Sequence, residues 1–268
     1  MTAKRPASNR TWLNGTVLGI GLASLFCDLG HEAVTSVLPA YLASLGASAG
    51  ALGTVEGFAD GLSSVAKLWG GWMADRLRRV KPLCTSGYAV MALSPFVIAA
   101  ASSWPVVAAG RSLAWVSRGL RTPSRKVLLS DAVTPDTYGK AFGLERAMDT
   151  VGAILAPLAV LLLLSLGWTR RRIILLSALP AIVAALAIWF LVRERPRPRA
   201  KASALLDSLR GFSPDYKRFL ASLGAFGLGD FADSFYILYA VQVLSPRLGG
   251  AAAASWSVAF YALHNVVY

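Results

Sequence analysis

Eight apolar runs of roughly 20 residues or more follow one another through the chain, at about 13–45, 49–74, 83–102, 104–129, 141–166, 173–192, 217–245 and 250–268. An α-helix rises 1.5 Å per residue, so roughly 20 residues cross the ~30 Å hydrocarbon core of a bilayer. A soluble fold of this length needs a polar face on every surface helix, and these runs lack one. The 268 residues are 55% hydrophobic and 15% charged, against about 45–50% and 25% in ordinary soluble domains. In lipid every backbone polar group must find its partner within the protein, which a helix does for itself. The predicted class is therefore an all-α membrane protein with about eight transmembrane helices. Lys4, Arg5 and Arg10 precede the first run as they would a signal peptide. That run is too long for one, and further spans follow at once.

Charge placement gives an orientation. A net charge of +13 would point to nucleic acid if it covered a soluble surface, but it is gathered between the apolar runs. With the N-terminus in the cytoplasm, the inner segments carry three basic residues (Lys4, Arg5, Arg10), four (Arg76, Arg78, Arg79, Lys81), five (Arg121, Arg125, Lys126, Lys140, Arg146) and eight between Arg193 and Arg218. Those twenty face four outside: Arg170, Arg171, Arg172 and Arg247. The excess predicts an N-terminus inside the inner membrane, with the Arg170–Arg172 cluster running against the rule. The two cysteines, Cys27 and Cys84, offer neither a disulfide framework nor a metal-binding spacing.

The stretch 193–216 is the one long polar connection, and it divides six spans from two. The chain is expected to comprise a six-helix bundle over 1–192, a cytoplasmic linker over 193–216, and the first two helices of a second bundle over 217–268. Asp28 lies 18 residues before Leu45-Gly46, and Asp230 lies 19 before Leu248-Gly249, an echo such as a duplicated bundle leaves. Residues 262–268 stop within an apolar run that has no polar flank, so a longer protein is expected.

The segment Gly71-Trp72-Met73-Ala74-Asp75-Arg76-Leu77-Arg78-Arg79 follows the second run. It resembles the signature loop of the major facilitator superfamily, with Gly71, Asp75, Arg76 and Arg79 matching and Arg78 where the family has glycine. The likeness extends from about residue 12 over nearly the whole chain. It takes in Phe26–Glu32, Glu56–Asp60, Gly119–Arg125 and Ala141–Asp149, which are similar to segments of a bacterial subgroup. Gly152 and Pro157 partly match the fifth-helix G-x-x-x-G-P motif of proton-coupled exporters, with Ala156 in place of the second glycine. The resemblance implies twelve spans in two six-helix bundles that rock about a midplane site, of which this chain holds the N-terminal two-thirds. It also implies that the signature loop acts as a conformational switch. Asp75, near a helix C-terminus, is expected to need a cationic partner.

Acids within apolar runs need a reason of their own, because a carboxylate at the bilayer centre costs about 2.5–3.5 kcal/mol on insertion scales. Asp28 with Glu32, Glu56 with Asp60, and Glu145 with Asp149 are spaced i,i+4, and Asp230 with Asp233 i,i+3, so each pair shares a helix face. Two carboxylates so close do not both ionise cheaply, which suits proton exchange. Two readings stay open: coupling or substrate contact, or neutralisation of Lys67, Arg111 and Arg118, the bases within spans. The candidates for substrate or proton are Asp28, His31, Glu32, Glu56, Asp60, Arg111, Arg118, Asp230 and Asp233. A histidine such as His31 is by itself more often a packed, hydrogen-bonded one. Gly53, Gly57 and Gly61 recur every four residues and predict a close helix seam beside Glu56 and Asp60. Pro39 and Pro157 predict kinks, and Pro123 an end to the fourth span.

Gly46-Ala47-Ser48-Ala49-Gly50 matches a nucleophile-elbow pattern but follows no strand, and no G-x-x-x-x-G-K-[ST] is present for a nucleotide. No catalytic set, cofactor or metal is expected. The resulting expectation is a secondary transporter, not an enzyme. It would move a small organic solute by alternating access, with protons as the coupling ion and efflux as the direction, as a monomer in the lipid bilayer and without nucleic acid. A facilitative uptake permease with structural acids is the alternative. A membrane-embedded enzyme would need a convergent set that two distant histidines do not supply.

Overall fold

The computed structural model describes residues 12–194, 196, 211–227 and 232–267. The helices are α1 (Gly15–Ser44), α2 (Ala49–Arg76), α3 (Lys81–Met91), α4 (Ser94–Ala100), α5 (Trp104–Ala132), α6 (Tyr138–Ser165), α7 (Arg170–Leu176), α8 (Ala178–Leu191), α9 (Pro214–Gly227), α10 (Ser234–Leu248) and α11 (Gly250–Val267). No strand occurs among the described residues. Among the described residues, four helical stretches are long and apolar enough to cross a membrane: Gly15–Ser44, Lys81–Ala100, Pro135–Ser165 and Arg170–Leu191. Lys81–Ala100 and Arg170–Leu191 each join two helices, broken at Ala92–Leu93 and at Ser177. α2 and α5 are as long as the others, but charged side chains interrupt their apolar stretches.

α1 is the central post, packed against α6, α8, α5 and α10, while α2 lies along α5. Asn14 caps α1 by accepting from the Thr16 and Val17 amides, and its own side-chain amide donates to the Ala132 carbonyl at the end of α5 (2.9 Å). At the same end, Lys81 donates to the Trp189 and Val192 carbonyls at the end of α8 (2.7 and 2.8 Å). The Glu194 carboxylate in turn accepts from the Val80 and Lys81 amides that open α3. Each charge thus meets the helix end of opposite sign. These bonds tie α1 to α5 and α3 to α8 at this side.

At the other side, three helices end on Leu-Gly: Leu45-Gly46, Leu166-Gly167 and Leu248-Gly249. The glycines have φ of 75°, 78° and 77°, a left-handed turn in which a side chain is strained. The two Leu-Gly turns of the sequence echo share this conformation with the turn after α6, and Asp230, the acid of the second half of the echo, lies outside the described residues. Ser48, the would-be nucleophile, accepts from the Ala51 amide and caps α2. Arg171 donates to the Ala101 carbonyl at the end of α4 (3.0 Å), which gives one of the three anomalous outer arginines a capping role.

Several helix crossings are tight. A Cβ on Gly152 of α6 would lie 2.3 Å from the Leu25 carbonyl oxygen of α1, and one on Gly119 of α5 would lie 2.6 Å from the Ser63 carbonyl of α2. The glycine seam expected in the second span is elsewhere. Gly57 and Gly61 have nothing within 4 Å of such a Cβ, and Gly53 meets only Phe235 at 3.3 Å. The face of α2 that packs carries Ala59, Ser63, Ala66 and Gly70 instead. Pro123 does not end the fourth span, because α5 runs on to Ala132. Helix likewise continues through Pro39 and Pro157.

Two apolar clusters fill the bundle. One gathers Val17, Ile20, Ala23, Cys27, Cys84 and Tyr88, and the other Val34, Leu38, Leu42, Leu52, Val55 and Ile98. Between Cys27 and Val34 on α1 lie Asp28 and His31, so the polar layer falls where the two clusters part, near the middle of a 30-residue helix.

Candidate functional site

That layer opens on a chamber of about 920 Å³. Its walls come from α1, α2, α5 and α6 on one side and from the start of α10 and the end of α11 on the other. Asp28, His31, Glu32, Glu56, Asp60, Arg111, Arg118 and Asp233, separated by up to 205 positions in sequence, all line it. Asp230 lies outside the described residues.

The buried charges are paired. Arg111 reaches Glu56 through Nε, 3.1 and 3.3 Å from the two carboxylate oxygens, and its Nη2 donates to the Thr35 hydroxyl at 2.9 Å. Both side chains are nearly sealed, so the forked geometry has to offset the desolvation of two ions. Arg118 sits 3.6 Å from Asp28. Trp115, between the two arginines in sequence, has their guanidiniums 5.6 and 5.5 Å from its ring centre and meets the His31 ring edge-on at 5.1 Å. Glu56 and Asp28 thereby have counter-ions, as the neutralisation reading expects. Lys67 is exposed and pairs with neither.

Two arginines counted as a cytoplasmic loop in the sequence are instead buried in α5. Arg125 holds Glu145 at 2.5 Å and Asp149 at 3.9 Å, and donates to Ser24 at 2.7 Å. Arg146 bonds Asp149 at 3.1 Å. Arg121, 1% exposed, has no carboxylate within ion-pair distance among the described residues. Its Nη2 donates to the Cys27 sulfur at 2.6 Å, the guanidinium lies 4.3 Å from the centre of the Tyr88 ring, and its Nε has no partner among the described residues. Arg111, Arg118 and Arg125 recur every seven residues, one face of a helix; reading Pro123 as a terminus hid that period. Removing Arg121, Arg125 and Arg146 from the inner tally leaves seventeen against four, so the charge bias keeps its sign.

Tyr261 of α11 was not anticipated. Its hydroxyl lies 2.7 Å from Glu32 and 3.5 Å from Asp233, tying the C-terminal helices to α1 across the chamber. Asn265 donates to the Ala153 carbonyl of α6 at 3.2 Å and reinforces the same joint. Neither residue stands out in an apolar run.

The signature-loop residues Gly71, Asp75, Arg76 and Arg79 lie at and beyond the end of α2, apart from the chamber. Arg76 stacks on Trp72 at 3.7 Å. Asp75 is exposed and makes no ion pair among the described residues. Gly152 is the α1 contact described above, and Pro157 is buried in α6; neither lines the chamber.

Long apolar helices around a charged chamber define the class as an all-α membrane protein. The sequence profile of the Major Facilitator Superfamily matches residues 20–267, and the chain belongs to that family. An uncharacterized MFS-type transporter of Methanocaldococcus jannaschii is 28% identical over 257 residues, 96% of this chain and 64% of the relative. The quinolone resistance protein NorA of Staphylococcus aureus is 29% identical over 129 residues, 48% of this chain and 33% of NorA. Among solved structures, a bacterial homologue of the human lysosomal transporter Spinster, inward-facing and unoccupied, superposes with a TM-score of 0.72 at 18% identity. That superposition covers 97% of this chain and 61% of the other. The chain thus spans under two-thirds of the length of these relatives. The family is one of membrane transporters and not of enzymes.

Proposed function

We propose that the chain belongs to a secondary transporter that moves a small organic solute across the inner membrane by alternating access, exchanging it for protons in the direction of efflux. In this reading residues 1–192 are one bundle, 193–216 the linker and 217–268 the start of the second, with the N-terminus cytoplasmic and the protein monomeric. The observation that carries it is the chamber: about 920 Å³, beside the middle of α1, lined by acids from both sets of helices. Asp28, Glu56 and Asp149 are engaged by arginines, which supports a structural share for them. Glu32 and Asp60 have no arginine partner among the described residues, which supports them as the groups that gain and lose a proton. Resistance conferred from within a membrane implies outward movement of the drug, so the likeness to NorA supports export.

The test is solute-driven proton movement in liposomes holding the protein and a pH-sensitive dye. The expected result is a pH change on solute addition that falls at least ten-fold in Glu32→Gln/Asp60→Asn. Solute movement with no proton movement would sink the coupling and favour the facilitator, whose acids are all structural.

A further inference from the structure

Two spans are broken where they share a cavity. Lys81–Ala100 breaks at Ala92–Leu93 between α3 and α4, and Arg170–Leu191 breaks at Ser177 between α7 and α8. A proline follows each break within three residues, Pro95 in one span and Pro180 in the other. Proline has no amide proton and its ring presses on the carbonyl four residues back, so the Met91 and Leu176 carbonyls lose their helical donors. Met91, Ser94 and Pro95 from the first break and Ser177 and Ala181 from the second line one small cavity of about 20 Å³. That is room for one water molecule. A protein interior is otherwise packed too densely to bend without disrupting its contacts.

The half-spans are fastened to their own kind and not across the breaks. On the Leu-Gly side α4 packs on α7, and Arg171 donates to the Ala101 carbonyl at 3.0 Å. Tyr41, past Pro39 on α1, donates to the Ile98 carbonyl of α4 at 3.0 Å. On the opposite side α3 packs on α8, held by Lys81 on the Trp189 and Val192 carbonyls and by Glu194 on the Lys81 amide. Among the described residues no side-chain hydrogen bond or ion pair joins α4 or α7 to α3 or α8. The unbroken neighbours meet the joint with bare backbone. A Cβ on Gly30 of α1 would lie 2.8 Å from the Ser177 carbonyl oxygen, and one on Gly110 of α5 would lie 2.6 Å from Ile98. The Ser94 hydroxyl donates to the Gly110 carbonyl at 2.8 Å and pins the start of α4 as a pivot.

We propose that the two breaks form one paired hinge, about which α4 and α7 tilt as a unit against α3 and α8. His31 and Arg111 line both this cavity and the chamber, so a tilt at the joint reshapes the chamber wall from behind. The hinge goes beyond the transporter reading, since it bends one bundle within itself, where rocking of two bundles leaves each rigid. It is a property of the bundle and needs no solute.

Distances between pairs of spin labels, measured by pulsed electron resonance on the detergent-purified chain, test the hinge. One pair reports the side of α4 and α7 (Ala49→Cys with Arg172→Cys), the other the side of α3 and α8 (Lys126→Cys with Phe190→Cys). All four positions are exposed, and the native cysteines are buried. The first pair is expected to give a distance distribution roughly twice as wide as the second. That excess should vanish in Pro95→Ala/Pro180→Ala, and in Ala181→Val, which fills the cavity and keeps both prolines. Unfolding midpoints show which variants are folded; the proline variant decides where it folds, and Ala181→Val where it does not. Equal widths in the two pairs overturn the proposal, as does a wide first pair that the deciding variant leaves wide. A chain that moves solute with its first pair narrow keeps the transporter reading and loses the hinge. One whose first pair is wide and narrows as expected, but which moves no solute, keeps the hinge and loses the transporter reading.

Discussion

Glu56 and Arg111 persist in the bundle because each is the other's solvent. Removing one leaves a sealed ion without a partner, so Glu56→Gln is expected to destabilise the protein by about 3–5 kcal/mol. The double substitution Glu56→Gln/Arg111→Met should recover much of that loss. Urea unfolding in detergent measures both, and a single variant that unfolds at the parental midpoint would show the pair to be idle. Arg121 is the opposite case, a buried guanidinium resting on a thiol and a tyrosine ring in place of a carboxylate. Arg121→Met keeps the bulk and removes the charge, so stability should stay level or rise in the same assay. The sequence marked Arg111 and Arg118 as intramembrane bases. It could not pair them, since 55 and 90 residues separate them from Glu56 and Asp28 and only helix packing closes those gaps.

At the scale of the helix, small residues announce close packing without saying which face they serve. Gly53, Gly57 and Gly61 repeat at the helical period, and so do Ala59, Ser63 and Ala66 two positions on. The choice fell to the second stripe, because α5 lies along it and brings Gly119 to within a Cβ's reach of Ser63. Gly152→Val is therefore expected to cost about 2–3 kcal/mol by driving α6 from α1. Gly57→Ala, with open space and a helical backbone, should be neutral or stabilising by up to about 1 kcal/mol. Thermal unfolding of the two variants side by side tests the assignment; equal losses would contradict it. Pro123 carries the same lesson. Proline removes one amide donor but does not forbid a helix whose neighbours hold it, and here Arg125, just beyond it, is anchored by Glu145 and Ser24.

For the whole molecule, the charge bias predicts which side each turn faces. Ala49→Cys, at the turn after α1, should react with a membrane-impermeant maleimide added to intact cells. Arg79→Cys should react only once the membrane is opened. Cys27 and Cys84 are buried and give a quiet background. The reverse pattern would invert the topology. The two sides are also built differently, with Leu-Gly turns on one and the Lys81–Glu194 exchange between helix ends on the other. Tyr261 is the contact by which the C-terminal helices close the chamber. Tyr261→Phe should weaken that joint by about 1 kcal/mol, the usual net worth of a hydrogen bond, read as faster hydrogen exchange in α11.

Hydrophobic period, charge bias and the Gly71–Arg79 loop are local properties, carried by neighbours in the chain. The sequence by itself therefore determined that this is a helical membrane protein, which family it resembles and which acids lie at depth. Pairing, cavity walls and seam faces depend on residues up to 229 positions apart, such as Glu32 and Tyr261. Only the packed helices decided that Glu56, Asp28 and Asp149 are answered by arginines while Glu32 and Asp60 face an open chamber. A carboxylate's role in lipid is set by what stands opposite it, and nothing in its own helix records that.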